Sequence, residues 1–400
     1  MKAVIMAAGK STRTYPLTLT KPKPLLKVMN RTILEHHLEG LRGLVDAAVL
    51  VVGYRAEMIR EVFGAAYKGM ALEYVVQTEQ RGTGHAIHQC ARNIDGPFLA
   101  MNGDDLYAPE DLRRLAQAEQ AALVKTVADP RLYGIYEVTE GGRVQRLVEK
   151  PNEVFSNLAN VGAYKFTSEV FDILADTPPS ERGEIEITSA IQTLAERGRF
   201  HVVEAQGYWL PIGYPWHLLD ANEHFLNQYL RSDILGEVHP AAHLNGTVYV
   251  GKGTLIRSGA VIDGPVCIGE DCSIGPNCWL RAGTTVGNRC RIGQAVEIKN
   301  SILMDDVFAA HQTYIGDSVV GDRVNLGCGT VTANVRHDGG NHMSMVNGAW
   351  VDTGRMKLGA IIGDGVHTGI HTSIYPGRKL WPGTTTRPGG VVLKDLMPRG

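Results

Sequence analysis

The chain has 400 residues, 44% of them hydrophobic and 20% charged, and a formal net charge of only −2. That length suits two domains with buried cores, and so small a net charge sets up no field that would draw the chain to nucleic acid or an anionic membrane. No apolar run reaches the ~18 residues of a membrane helix, and the N-terminus opens into a strand rather than a signal-peptide layout. A cytoplasmic protein with no nucleic-acid or membrane partner is therefore expected.

Taken in order, Lys2 to Met6 reads as a short buried strand, and Ala7-Ala8-Gly9-Lys10-Ser11-Thr12-Arg13 follows it. A strand that runs into a glycine loop exposes consecutive backbone N–H groups, which can cradle phosphate oxygens. Pro16-Leu17-Thr18 and Lys21-Pro22-Lys23-Pro24-Leu25-Leu26 then supply two lysines on a stiff segment, expected within reach of the same loop. A helical pattern over Ile33 to Leu44 and apolar runs at Ala47–Val52, Leu72–Val76 and Phe98–Met101 alternate strand with helix. This argues for an α/β, Rossmann-like domain with a mostly parallel sheet, helices on both faces, and ligands beyond the strands' C-terminal ends.

Three loops fall at such ends. Gln77 leads into Gly82-Thr83-Gly84-His85-Ala86, where a side-chain amide and bare backbone can read a nucleobase edge. Asn102-Gly103-Asp104-Asp105 ends the next strand, and a carboxylate there can hold Mg²⁺ against phosphates. Glu149-Lys150-Pro151 and Asn160-Val161-Gly162 flank an expected sugar pocket.

With these motifs in place, Ala7 to Pro24, Gln77, Gly82-Thr83, Gly103-Asp104 and Glu149-Lys150-Pro151 resemble the signature of the sugar-1-phosphate nucleotidylyltransferases. The resemblance implies that Arg13 and Lys23 bind and polarise a triphosphate, and that Ala8, Gly9, Gln77, Gly82 and Thr83 contact the nucleotide. It further implies that Asp104 holds Mg²⁺, and that Gly134, Glu149, Lys150 and Asn160 hold a sugar phosphate. Two departures stand out. Ser11 occupies a place where the family usually has a second glycine, which suits serine only if the position needs no positive φ. Pro211, within Tyr208-Trp209-Leu210-Pro211-Ile212-Gly213, stands where the family often brings a second metal ligand, and a proline side chain cannot ligate.

Trp216 to Arg231 carries a helical apolar pattern, expected to pack under the first domain and hand over near Leu235, so the domains are read as 1–234 and 235–400. From Val250 to Ile298 every sixth residue is then aliphatic: Val250, Ile256, Ile262, Ile268, Ile274, Leu280, Val286, Ile292 and Ile298. Neither the helical nor the strand period produces this; a repeat of six marks a parallel β-helix whose aliphatic residues point to the axis. Cys272, Cys278 and Cys290 fall at the small inward position and read as packing residues, free in a reducing compartment. Three hexads close one coil, so residues 18 apart sit above one another, and Arg281 and Lys299 differ by 18. They would lie about 5 Å apart on successive rungs, where an anion such as a phosphate would relieve their repulsion. After Lys299 the phase breaks, and an excursion from Asn334 to Val351 is too long for one coil side.

Glu297-Ile298-Lys299-Asn300-Ser301, His311 with Tyr314-Ile315-Gly316-Asp317, and Asn325-Leu326-Gly327-Cys328-Gly329-Thr330 resemble the acetyltransferase half of bifunctional, archaeal-type sugar-1-phosphate nucleotidylyltransferase/acetyltransferases. That resemblance implies a left-handed, hexapeptide-repeat β-helix forming homotrimers. His311 would be the general base toward acetyl-CoA, Arg281 and Lys299 would hold the sugar phosphate, and Tyr314, Asn325 and Asn334 would position the sugar. Arg378-Lys379 and Lys394 would meet CoA phosphates. Val335 replaces the tyrosine the family has after the asparagine, which leaves glucosamine and galactosamine phosphate both open. The expected function is synthesis of UDP-N-acetylglucosamine from UTP, acetyl-CoA and a sugar-1-phosphate with Mg²⁺. The rivals are a single-activity enzyme forming dTDP-glucose or GDP-mannose over an inert coil, and a non-catalytic binding subunit.

Overall fold

The computed structural model describes residues 1–398, and the chain divides into two compact units. The first comprises Met1–Lys10, Pro22–Leu25 and Ile33–Pro211; the second comprises Ser11–Lys21, Leu26–Thr32 and the chain from Ile212 onward. Residues 212–234 and two N-terminal segments thus group with the C-terminal half.

At the centre of the first unit, Phe98–Asn102, Lys2–Ala7, Ala47–Val52 and Met70–Val76 lie side by side in parallel. Leu158–Phe166 joins antiparallel to Phe98–Asn102 and links on to Gly134–Val138 and Val144–Glu149, giving a mixed sheet. Because side chains alternate along a strand, Lys2–Ala7 feeds two cores. Ala3, Ile5 and Ala7 join Leu34, Leu38, Ile59, Phe63, Leu112 and Leu115 of one helical layer. Val4 and Ala8 join Ile87, Val170, Leu174, Ile191 and Leu194 of the other. The parallel strands end together, so the loops after Ala7, Val52, Val76 and Asn102 crowd one edge. Gly53 and Gly103 stand there because a Cβ would lie 2.8 Å from the Ala8 carbonyl oxygen and 2.6 Å from that of Met6, respectively.

In the second unit, three parallel sheets of eight, six and eight strands form the walls of a three-sided coil. Each strand pairs with one a full turn later: Val248 with Val266, Leu255 with Ser273, Val261 with Trp279. All nine aliphatic residues of the six-residue repeat are buried in one axial core, together with Cys272, Cys278 and Cys290. The cysteines are free thiols; those of Cys272 and Cys290 donate to the carbonyl oxygens of Gly287 at 3.0 Å and Met304 at 3.1 Å.

Beyond Val286 the turn shortens by one residue: Ile298 pairs with Ile315 and Phe308 with Asn325. The excursion displaces the register further, so that Val331 pairs with Ser373. Inside it Met343–Val346 and Ala349–Asp352 form an antiparallel hairpin. Its turn is Asn347-Gly348, with φ of 47° and 84°, the left-handed pair that two-residue hairpins favour. The helix His217–Tyr229 packs on the coil. Leu226 and Leu230 cluster with Cys267, while the Asn222 side chain donates to the Gly283 carbonyl at 3.1 Å and accepts from the Thr285 hydroxyl at 2.8 Å. Among the described residues no helix is long and apolar enough to cross a membrane.

Candidate functional sites

On the first unit, Lys23 donates to Asp104 at 2.8 Å, with the lysine side chain 3% and the carboxylate 40% exposed. Asp104 is thus held by a buried cation while still facing outward. Its neighbour Asp105 is buried; desolvation, helped by the Asp104 charge, pushes its carboxyl up to about 7. The Trp209 indole donates to it at 3.3 Å, and Pro211 lies directly across the strand pair from it. Proline therefore stands opposite Asp105 with no side-chain atom able to ligate. Among the described residues no group of three His, Cys, Asp or Glu gathers for a metal.

Gln77 is buried, and its amide nitrogen faces the Gly82 carbonyl at 3.3 Å and His85 Nδ1 at 3.1 Å. That NH₂ group holds the Gly82 turn in this arrangement, at the position expected to meet the nucleotide. Gly82 has φ 98°, and a Cβ there would lie 2.6 Å from the Ile185 carbonyl oxygen, so only glycine fits. The Thr83 hydroxyl accepts from the Ile187 N–H at 3.3 Å. Ala8 is buried, its carbonyl accepting from Gln80 at 2.8 Å, and Gly9 is exposed just beyond it.

Gly134, Glu149 and Asn160 do come together. Gly134 pairs with Glu149 across the sheet, and a Cβ at Gly134 would lie 2.8 Å from Glu149 Oε2 and 3.6 Å from Asn160 Cβ. Burial raises the Glu149 carboxyl above its ordinary range. Asn160 donates to the Tyr164 hydroxyl at 2.9 Å, and Lys150 follows Glu149 with φ 46°.

Arg13 belongs to the Ser11–Lys21 segment of the second unit, with its guanidinium 5.8 Å from the Tyr214 ring centre. Two expectations fail in this segment. Ser11 adopts φ 53° and ψ 53°, so the position that glycine would occupy at no cost does need left-handed backbone. Lys21 does not offer its ammonium to a phosphate: it is buried against Asp322 and Asp364 of the coil.

On the coil, Leu280 pairs with Ile298, which sets Arg281 and Lys299 on successive rungs of one wall. Each cation already has a carboxylate. Arg281 bonds Glu297 at 2.8 Å and stacks over Trp279, 4.6 Å from the ring centre; Lys299 faces Asp317 at 3.6 Å. Asp317, its side chain 2% exposed, is the hub. It accepts from Asn300 at 2.7 Å and from Asn334 at 2.5 Å, and Asn334 also reaches the Tyr314 hydroxyl at 3.4 Å. Lys299, Tyr314 and Asn334 are therefore brought to one point. His311 ends the strand Phe308–His311 on the adjacent wall, exposed, and Asn325 pairs with Phe308 on that same wall.

Asp317 and Glu297, the carboxylate partners of Lys299 and Arg281, are positions to which the motifs assigned no role, although Gly316-Asp317 at a broken phase carried the signal. Lys379 is buried and donates to the Met345 carbonyl at 2.8 Å, so it does not present its ammonium to a CoA phosphate; Lys394 is exposed.

Comparison with known proteins accounts for this pairing of sites. Residues 2–228 match the nucleotidyl transferase family model, and residues 262–376 match a model described as the GMPPB C-terminal domain. A bifunctional protein GlmU of Methanococcus maripaludis is 39% identical over 398 residues, covering 99% of this chain and 95% of that protein. A bifunctional sugar-1-phosphate nucleotidylyltransferase/acetyltransferase of Sulfurisphaera tokodaii is 36% identical over 401 residues, covering 99% and 98%. The chain belongs to the bifunctional nucleotidylyltransferase/acetyltransferase family. As a member it is a transferase with two activities, acetyl transfer and uridylyl transfer. The crystal structure of a UDP-glucose pyrophosphorylase complexed with UDP-glucose matches it with a TM-score of 0.53 and 27% identity, over 57% of this chain and 98% of that one.

Proposed function

We propose that the enzyme acetylates a hexosamine-1-phosphate, glucosamine or galactosamine, with acetyl-CoA and then couples the N-acetylated sugar phosphate to UTP, releasing pyrophosphate. The observation that carries this reading is the convergence of Lys299 and Asn334 on buried Asp317, with Tyr314 bonded to Asn334 and Arg281 on the preceding rung. Two cations on successive rungs of one wall, beside a buried polar hub, form a set suited to a sugar phosphate.

For acetyl transfer, Arg281 and Lys299 hold the sugar phosphate through charge-assisted hydrogen bonds. Tyr314, Asn334 and Asn325 orient the sugar, and Lys394 meets the CoA phosphates. His311 takes the proton from the 2-amino group as its nitrogen attacks the thioester carbonyl. The acetyl carbon–sulfur bond breaks, and CoA leaves as the thiol. For nucleotidyl transfer, Arg13 and Lys23 hold the triphosphate over Ala8 and Gly9, with Gly82 and Thr83 bounding the base and Gln77 holding that turn in shape. Gly134, Glu149, Lys150 and Asn160 hold the sugar phosphate, whose oxygen attacks the α-phosphorus in line while pyrophosphate departs. Positioning and charge neutralisation do most of this work.

The donor set suits Mg²⁺. Asp104 offers one outward carboxylate oxygen site beside Lys23, and Mg²⁺ commonly binds through one or two carboxylates plus substrate phosphates and water. With Pro211 paired opposite Asp105, Asp104 would hold it together with phosphate oxygens and water, and the ion would neutralise charge on the triphosphate. We read the coil as left-handed and as the trimer-forming part of the chain, with residues 1–234 as the nucleotidyl-transfer domain and 235–400 as the acetyl-transfer domain.

The test supplies glucosamine-1-phosphate, acetyl-CoA, UTP and Mg²⁺ and follows thiol and pyrophosphate separately. His311→Ala is expected to abolish thiol release while pyrophosphate release from pre-acetylated sugar phosphate continues. Loss of both together would defeat the assignment of two separable sites.

A further inference from the structure

One segment of the second unit has more anchors than a surface loop needs. Ser11–Lys21, which carries Arg13, is tied within itself: the Ser11 carbonyl accepts from the Thr14 and Thr18 hydroxyls, each at 2.8 Å. It is also tied to the coil at both ends. The Thr12 hydroxyl accepts from Asn347 at the hairpin turn at 3.1 Å. Thr20 donates to Asp364 at 2.8 Å. Lys21, 7% exposed, pairs with Asp364 at 3.1 Å and with Asp322.

These carboxylates are themselves fixed. At one corner of the coil each aspartate accepts, through its other oxygen, the backbone N–H of the preceding rung: Asp305 N–H to Asp322 and Asp322 N–H to Asp364, both at 2.9 Å. Asp364 is 4% exposed. A carboxylate buried this deeply is costly without a cationic partner, and beyond the rung N–H that Asp364 accepts, Lys21 at 3.1 Å is its nearer cation, with exposed Arg323 at 3.9 Å.

We propose that Asp322 and Asp364 are positioning residues for nucleotidyl transfer, acting through Lys21 and Thr20 to hold the loop that presents Arg13. The coil then serves both activities: its wall carries the acetyl-transfer hub, and its corner tethers the segment that carries Arg13. This rests on the reading of Arg13 as a triphosphate ligand. Lys21 explains why the motif has two lysines: Lys23 turns to Asp104 and Lys21 to the coil.

The experiment uses the full-length enzyme and the variants Asp364→Asn, Lys21→Met and Arg13→Ala, with KM for UTP, KM for the sugar phosphate and kcat for pyrophosphate release measured at 25 °C, and acetyl transfer as internal control. Asp364→Asn and Lys21→Met are expected to raise the KM for UTP about tenfold, to lower kcat, and to leave the sugar-phosphate KM and acetyl transfer within twofold. Trypsin cleavage after Arg13 should become faster in both. A fall in melting temperature with an unchanged UTP KM would overturn the proposal, because the tethers would then only stabilise the coil. If Arg13→Ala itself leaves nucleotidyl transfer intact, the underlying reading fails and the proposal with it. If Arg13→Ala abolishes transfer while Asp364→Asn and Lys21→Met do nothing, only the proposal fails.

Discussion

Asp317 offers the sharpest test of the acetyl site, because it organises that site without being placed to touch the reacting atoms. Its buried carboxylate accepts side-chain amides at 2.7 and 2.5 Å and faces the Lys299 ammonium at 3.6 Å. Asp317→Asn preserves volume and suits the left-handed backbone, φ 49°, at this corner. It removes the charge and offers one acceptor oxygen where two were used. Hydrogen bonds to a charged group contribute about 1.5–3 kcal/mol each, so losing one and weakening the lysine contact costs about 2–3 kcal/mol. If that loss falls on the geometry of Asn334 and Lys299 in the transition state, kcat/KM for acetyl transfer drops roughly 30- to 150-fold. The assay is initial thiol release at varied hexosamine-1-phosphate, with pyrophosphate release and thermal melting on the same preparation. Acetyl transfer within twofold of the parent, or an equal loss of both activities, would refute the reasoning.

Three further outcomes follow from particular positions. Ser11→Gly relieves a left-handed serine worth about 1 kcal/mol, so the melting temperature should hold or rise, whereas Ser11→Val should lower it; a drop with glycine would show that the serine side chain matters more than its φ. Gly134→Ala would place a methyl 2.8 Å from Glu149 Oε2, raising the KM for the sugar phosphate in nucleotidyl transfer at least tenfold while the UTP KM holds; equal changes in both would contradict a sugar-side pocket. Burial pushes the Lys379 ammonium down to about 8. Between that value and its unfolded value of about 10.4 the unfolded chain binds more protons, so stability rises with pH over that window, by about 3 kcal/mol for this group. Lys379→Met should remove that rise in urea unfolding at pH 7.5, 8.5 and 9.5, and parallel curves for the two proteins would count against it.

Both architectures were legible because they rest on local periodicity. A continuously apolar strand such as Ala3 to Ala7 must bury both faces, and an aliphatic residue at every sixth place must line an axis, whatever the rest of the chain does. Register followed from the same repeat: residues 18 apart did stack, so Arg281 and Lys299 share a wall. The hairpin in the excursion is also written locally, in Asn347-Gly348 between two apolar runs.

What sequence alone determined about this protein is therefore its two folding patterns and the residue types assembled on each, since these depend on neighbours a few places away. Only the tertiary structure decided where the charges go. Whether Lys21 meets a phosphate or Asp364, whether Asp317 is a surface corner or a buried hub, and whether Ser11 needs left-handed backbone are settled by groups distant in the chain or by how a loop is anchored. A buried charge takes whichever opposite partner removes it best from the low-dielectric interior, and partners chosen in that way leave no periodic trace.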